Sequence, residues 1–356
     1  METNFSSPVN GPEEMHNEST GYTAIEIYLL VAFGIIFVLG TLGNGLVLWV
    51  TGFQMARTVT TLCYLNLALA DFSVIASLPF QMVSIAMRQW PFGWFLCKII
   101  STMVDMNLFG SSFLIAFIAL DRCICILHPV WAQNYRTVNK ARIVIIVPWI
   151  LALVLTLPTL IFTTTDRVKE NTYCVFNTDF WGDIDEMRLM EIIFITFATM
   201  GTTQFVIGFI MPMSIIAICY GLIAAKIRKK VMINSSRPLR VLTAVMVSFF
   251  LCWFPFQLIL FLYRIWIKEI ALEDKHSIMI PLRFLTIPLA FFNSCLNPIL
   301  YVFLGQDFRR RLIHSLPASL ERALMEESAE TIDITKSASP PTEAELQEMS
   351  GAGGHY

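Results

Sequence analysis

Residues 25–51 read IEIYLLVAFGIIFVLGTLGNGLVLWVT, an apolar run whose one charge is Glu26. A bilayer core is about 30 Å thick, so a spanning helix needs roughly 20 predominantly apolar residues. This run exceeds that length. Six more of the same kind follow at 60–87, 97–127, 142–164, 193–226, 239–263 and 277–304. Polar segments separate them, and none alternates with the period of two that a membrane β-barrel requires. The pattern predicts an all-α membrane protein, a seven-transmembrane helix bundle over residues 25–304. The fifth run is longer than needed, and its outer start could lie as early as Leu189. Residues 1–24 are polar and the first run is too long for a cleaved signal, so it is expected to stay in the protein as the first span.

Composition points the same way. Of 356 residues, 56% are apolar and only 15% charged, against about 45–50% and about 25% in a soluble domain. The surplus apolar surface must face lipid. A net charge of −2 without a basic face argues against nucleic-acid binding. The Cys residues form no CxxC pair and no zinc-type spacing; Cys123 and Cys125 read as small packing residues. A transporter would show an internal repeat with paired interrupted helices, which is not seen here. An aspartyl protease would need two carboxylates at one depth, whereas Asp71 and Asp105 lie at different depths on different helices. No enzyme is expected.

Lys and Arg concentrate in alternate connections, around Arg57, Arg136 to Arg142, Lys226 to Arg240 and Arg309 to Arg311. By the positive-inside rule these face the cytoplasm, which puts residues 1–24 outside and makes the sequons at Asn4 and Asn17 glycosylation candidates. Residues 305–316 carry apolar and basic side chains suited to a short amphipathic helix lying on the inner membrane lipid. No Cys follows Cys295, so palmitoylation cannot anchor it. The tail, 317–356, has the composition of a disordered segment.

Polar side chains inside a span are costly and need a reason. Asn44, Asp71, Ser111, Asn293 and Asn297 fall at similar depth and are expected to converge. Asp71 is the lone carboxylate of that group. It could be protonated, hold a sodium ion among hard oxygen ligands, or anchor a hydrogen-bond network that only joins helices. No other metal or cofactor is expected.

Several stretches resemble rhodopsin-like G-protein-coupled receptors: Gly43-Asn44, Leu67-Ala68-Leu69-Ala70-Asp71, Asp121-Arg122-Cys123, Trp149, Pro212, Cys252-Trp253-Phe254-Pro255 and Asn297-Pro298-Ile299-Leu300-Tyr301. Cys123 departs from the usual Tyr. The resemblance implies a disulfide between Cys97 and Cys174, and a G-protein switch built on Asp121, Arg122 and Tyr301. Arg122 can pair with Asp121 at rest and bind a partner's carbonyls when released. Pro255 and Pro298 remove a helical hydrogen bond, so the sixth and seventh helices can bend there, and Trp253 sits beside that hinge.

A closer resemblance, to the formyl peptide receptors, is carried by Met1-Glu2-Thr3-Asn4-Phe5-Ser6, Trp90-Pro91-Phe92-Gly93-Trp94-Phe95-Leu96-Cys97, His128-Pro129-Val130-Trp131-Ala132-Gln133-Asn134 and Phe291-Phe292-Asn293-Ser294-Cys295. It implies a chemoattractant receptor whose outer pocket includes Asp105, Trp253 and Phe256, and whose inner face couples to an inhibitory-class G protein. Members that bind formyl peptides also carry two arginines one turn apart on helix five; Met200 and Gln204 occupy those positions here. Asp105 then needs another partner: Arg283, a cationic ligand, or its own proton. Formyl peptide binding is expected to be weak or absent, with another peptide or small chemosignal as agonist. An unchanged formyl peptide sensor and a non-signalling decoy are the alternatives, and the intact Asp121-Arg122 pair argues against the decoy. Ser328, Thr331, Thr335, Ser337, Ser339 and Thr342 in the tail are candidate phosphorylation sites for arrestin.

An enzyme that strips N-linked glycans should increase the gel mobility of the expressed chain. The variant with both Asn4→Gln and Asn17→Gln should show no such shift.

Overall fold

The structure, a computed structural model, describes residues 22–176, 185–229, 237–265, 276–304 and 310–312; at 186, 227–229, 237–246, 276–278, 280, 300–304 only the backbone is described. Asn4, Asn17, residues 305–309, the tail from 313 and the Tyr301 side chain lie outside the described set, as does most of the basic stretch after Lys226.

Seven helical segments are present. The first is α1 (Ala24–Trp49), continued by a π turn at Val50–Gln54; α2 (Val59–Met87) and α3 (Gly93–Leu127) follow. A short α4 (Pro129–Tyr135) leads to α5 (Val138–Val144) and α6 (Ile146–Phe162), which together make the fourth span. The fifth is α7 (Glu186–Phe205), a π turn at Val206–Ile210, and α8 (Met211–Lys229). The sixth is α9 (Arg237–Ile265) and the seventh α10 (His276–Leu304). Among the described residues, six of these segments meet the length and hydropathy of a membrane span. The seventh is a 29-residue helix carrying Pro281, Pro288 and Pro298.

The first helix shows how an apolar sequence chooses its inside. Leu29, Phe33, Ile36, Gly40, Asn44 and Val47 are buried, a stripe at helical spacing. Val31, Ile35, Val38 and Leu42, on the other side, are all more than half exposed. Both faces are apolar, as expected where the outer one meets lipid rather than water. The buried face packs on α2 and α10. Gly40 makes this approach possible, because a Cβ there would lie 2.8 Å from Ile75 Cδ1 and Cγ1. Elsewhere α3 packs against α2, α6 and α8, and α9 against α7 and α10.

The helix ends follow from capping chemistry. Thr23 and Glu26 form a capping box at the start of α1, and Thr58 with Thr61 forms the equivalent at α2, supplying acceptors for N–H groups that lack intrahelical partners. α2 stops at Arg88, whose left-handed backbone (φ 52°) closes the helix; its guanidinium pairs with Glu26 at 2.9 Å. The Lys98 ammonium donates to the carbonyls of Leu160 and Ile161 at 3.0 and 2.9 Å, satisfying the free end of α6. The π turn at Val206–Ile210 sits just ahead of Pro212, which cannot donate to the carbonyl four residues back.

The segment after α6 is a two-stranded antiparallel hairpin, β1 (Thr163–Val168) and β2 (Asn171–Phe176), with Thr165 opposite Cys174. Cys174 is joined to Cys97 by the expected disulfide, Cα–Cα 5.7 Å. The Trp90 backbone N–H donates to Thr172 O at 2.6 Å, a second tie between the hairpin and the α2–α3 turn.

A bulkier residue at position 40 should overpack the α1–α2 contact, at a typical cost of about 1–3 kcal/mol. Gly40→Val is expected to melt several degrees below the natural protein in detergent, and Ile75→Ala in the same chain should recover part of the loss.

Candidate functional site

Three polar centres stand along the bundle. The middle one is built on Asp71, which is 0% exposed. Its Oδ2 accepts from Asn297 Nδ2 at 2.8 Å, and its Oδ1 from Ser294 Oγ at 2.9 Å and Asn107 Nδ2 at 3.4 Å. These donors come from α3 and α10, so one carboxylate pins three helices. Asn44 joins at one remove, donating to the backbone carbonyl of Ser294 at 2.9 Å. Ser111 donates to the Asn107 carbonyl on its own helix, and Asn293, though buried, leaves its amide nitrogen without a partner. Of the residues expected to converge with Asp71, Asn297 bonds to it directly and Asn44 at one remove, while two of its three donors are residues that the sequence reading passed over. Asn107 carried the same signal as the others, an amide in mid-span; Ser294 did not, because a serine beside an asparagine is an ordinary small residue.

The second centre lies toward the disulfide end. The Asp105 carboxylate accepts a hydrogen bond from the Thr159 hydroxyl of α6. Gln204, 4% exposed, accepts from the Arg264 guanidinium. Arg264 is also the cation whose field acts on Asp105, and Arg283 in turn acts on Arg264. No direct ion pair reaches Asp105 among the described residues. Arg283, one of the three solutions the sequence allowed for Asp105, lies over the Tyr263 ring at 5.3 Å, and its Nε is buried without a partner among the described residues. The residue that sequence reading missed is Arg264. A signal was present: Arg264 follows Trp253 by eleven residues, about three turns at 3.6 residues per turn, and so returns to nearly the same face. Met200 is half-buried and offers no hydrogen-bonding group to Asp105.

Between these centres runs an aromatic ladder. Phe209, in the π turn, packs against Phe249, Phe250 and Phe254 of α9 at 6.0–6.3 Å. Trp253 touches Phe249 and Phe256 at 6.1 and 6.2 Å. Trp253 is 4% exposed and its indole N–H has no partner among the described residues, where packing holds it. Pro255 lies two residues further along the same helix.

The third centre closes the opposite end. Asp121 forms a bidentate pair with Arg136, Nε–Oδ1 2.7 Å and Nη2–Oδ2 2.8 Å. Arg122 does not pair with Asp121 as the sequence suggested; it donates to Thr60 Oγ1 at 2.7 Å. Consecutive residues on a helix do not face each other, and α4 brings Arg136 back to the carboxylate. Arg136 also reaches Thr60 at 3.3 Å, so α2, α3 and the end of α4 meet in one network. Donating to Asp121 pushes the Arg136 guanidinium above its already high ordinary value. On the same end, Lys226 donates to the Leu127 carbonyl at 2.6 Å, tying α8 to α3.

Comparison with known proteins follows this geometry. The profile of the 7 transmembrane receptor (rhodopsin family) matches residues 43–301. The chain is 65% identical over 352 residues to N-formyl peptide receptor 2 of Homo sapiens, covering 98% of this chain and 100% of that one. It is 58% identical over 351 residues to formyl peptide receptor 2 of Mus musculus, covering 98% and 99%. It is also 58% identical over 355 residues to N-formyl peptide receptor 3 of Homo sapiens, covering 98% and 100%.

Removing the central acceptor should be felt at once. Asp71→Ala leaves three donors without a partner, each costing about 1–3 kcal/mol when buried. It should lower the melting temperature of the detergent-solubilised protein by several degrees, more than Asp71→Asn, which keeps one acceptor oxygen.

Proposed function

Because the chain belongs to the rhodopsin-like seven-transmembrane receptors, and among them to the formyl peptide receptors, we propose that its outer pocket reads a ligand other than a formyl peptide. It is a chemoattractant G-protein-coupled receptor of the plasma membrane, crossing the bilayer several times, and belongs to a family of non-enzymes. The proposal concerns ligand, orientation and coupling. The disulfide end faces outward, and a peptide or small chemosignal enters near Asp105, Met200, Gln204, Trp253, Phe256 and Arg283. The Asp121–Arg122 end faces the cytoplasm and engages an inhibitory-class G protein, giving calcium signals and chemotaxis-type responses. Arrestin binds the phosphorylated tail.

The observation that carries the ligand reading is Gln204 accepting from Arg264. Where an arginine would present a charged fork to a formyl group, Gln204 presents a neutral amide: its Oε1 is taken by Arg264, and its Nε2, without a partner among the described residues, carries no charge and no fork. Met200 adds no donor. A formyl peptide would therefore meet a helix five stripped of the two multidentate donors that suit its oxygens. The relatives' names favour a second reading, in which formyl peptides still act here through Arg264.

Coupling between the ends needs a two-state element that both bias. Helix six has the parts: Trp253 beneath the pocket, held without a hydrogen bond, and Pro255 where the backbone can pivot. A ligand that shifts Trp253 would change the bend, and α9 would move relative to α3 and α8 at the far end. A sodium ion beside Asp71 is part of the proposal. The carboxylate, the Ser111 hydroxyl and the Asn44 Oδ1, buried without a donor, are hard oxygen ligands of the type such an ion takes. Bound there, it would neutralise the carboxylate and favour the resting arrangement.

The test is a formylated peptide applied to transfected cells, read by calcium and by block with a toxin selective for inhibitory-class α subunits. The natural receptor should respond only weakly. Met200→Arg with Gln204→Arg, made with and without Arg264→Gln to relieve like-charge crowding, should gain at least about ten-fold in potency, as expected for restored charged hydrogen bonds of about 1.5–3 kcal/mol. A strong response of the natural receptor at low peptide concentration would establish the second reading instead.

A further inference from the structure

Arg264 and Arg283 have not yet been given a use, and their surroundings specify one. Arg264 crosses onto helix five over Gly201: a Cβ at that position would lie 2.8 and 2.9 Å from Arg264 Cβ and Cδ. The missing side chain lets the arginine stem lie flat and direct its head to Gln204. One bond to a neutral amide leaves most of a guanidinium's five N–H donors free. The Arg283 guanidinium lies over the Tyr263 ring at 5.3 Å, and its Nε is buried with no acceptor among the described residues. The two cations are near enough to act on each other. Facing them, among the described residues, is one carboxylate, Asp105, which is held by Thr159 and makes no direct ion pair. Among the described residues the centre therefore carries two positive charges against one negative, with a buried donor that none of them fills. A buried donor left unsatisfied costs about 1–3 kcal/mol, and an arrangement of like charges adds to that cost until an anion arrives.

We propose that this centre is a carboxylate-binding subsite, in which Arg264 and Arg283 grip an anionic group of the ligand while Gly201 and Gln204 position Arg264. It rests on the reading of this end of the bundle as the ligand pocket. The planar forks of two arginines match a carboxylate's two oxygens, so the recognised group is the free carboxyl of a peptide or of an aliphatic acid. A cationic ligand, by contrast, would meet net repulsion. Asp105 acts against an anion and so limits the affinity for acids. Asp105→Asn should tighten binding of acids.

The experiment uses the purified full-length receptor in lipid nanodiscs, with thermal unfolding as the readout. The probes are a pool of unformylated random hexapeptides prepared as free acids, the same pool as carboxamides, and a set of medium-chain fatty acids. Free acids should stabilise the natural receptor at concentrations at least about ten-fold lower than amides. Arg264→Gln and Arg283→Gln should erase that difference, and Gly201→Val, which leaves every charge in place but displaces the Arg264 stem, should weaken it. In the ligand-free state Arg283→Met should raise the melting temperature, because it removes an unfilled donor and a like-charge contact. A purely structural arginine stacked on Tyr263 would give a fall.

Stabilisation by fatty acids alone supports the subsite and assigns it to an aliphatic acid. Equal stabilisation by acids and amides, or no acid-selective stabilisation at all, overturns the subsite whatever Arg283→Met does. Acid-selective stabilisation without any G-protein response in cells would leave the subsite standing and count against the signalling proposal.

Discussion

A carboxylate sealed from water in the centre of an apolar bundle is the constraint around which this structure is arranged. In lipid, an unsatisfied polar group has no solvent to fall back on, and Asp71 is fully buried. Its oxygens must be met by protein donors, and Asn107, Ser294 and Asn297 meet them from two other helices. Those contacts set how α3 and α10 sit against α2. Asn44 then ties α1 to the same place through the Ser294 carbonyl, and Gly40 allows α1 to come close enough. Packing supplies much of the adhesion along the helices, while the polar centre specifies which arrangement is adopted.

Two other carboxylates, Asp121 and Asp105, are met differently. Asp121 has a bidentate arginine partner from the adjoining α4. It is a closed pair, and opening it would free both Asp121 and the Thr60 contact of Arg122. Asp105 has only a threonine hydroxyl and the field of an arginine engaged elsewhere. The Asp121 end is thus satisfied by an ion pair within the protein, and the Asp105 end, among the described residues, is not. Between them, Trp253 and the phenylalanines around the π turn form a contact with no hydrogen bonds to break, suited to repacking rather than rupture.

The spans were legible in the sequence because lipid imposes one demand, length of apolar run, and imposes it on every span alike. The boundaries drifted where helices continue into polar residues. Thus α3 begins at Gly93 rather than Cys97, and α7 begins at Glu186, earlier than the apolar pattern required. The hairpin was not legible: TTTDRV and NTYCVF carry no clean alternation, and it is held by the disulfide and by Trp90 rather than by a hydrophobic face. The central cluster was half visible, since amides in mid-span stand out and a serine does not. At the pocket, the sequence showed which cations were missing from helix five but not where their replacement stood. Arg264 reaches Gln204 because Gly201 lies opposite its stem, a relation between two spans that no pattern along one chain reveals. The Asp121–Arg136 pair has the same character, because α4 folds back in a way that the polar sequence around it does not announce.

The account stands on the claim that the Asp121–Arg136 pair restrains a signalling surface to which Arg122 is essential. The most direct measurement is nucleotide exchange on a purified inhibitory-class heterotrimer incubated with receptor in lipid nanodiscs and no added ligand. Asp121→Asn, which loosens the pair, is predicted to raise exchange several-fold over the natural receptor, and Arg122→Ala to abolish it in either background. Exchange at one common rate in all of these receptors would contradict the account.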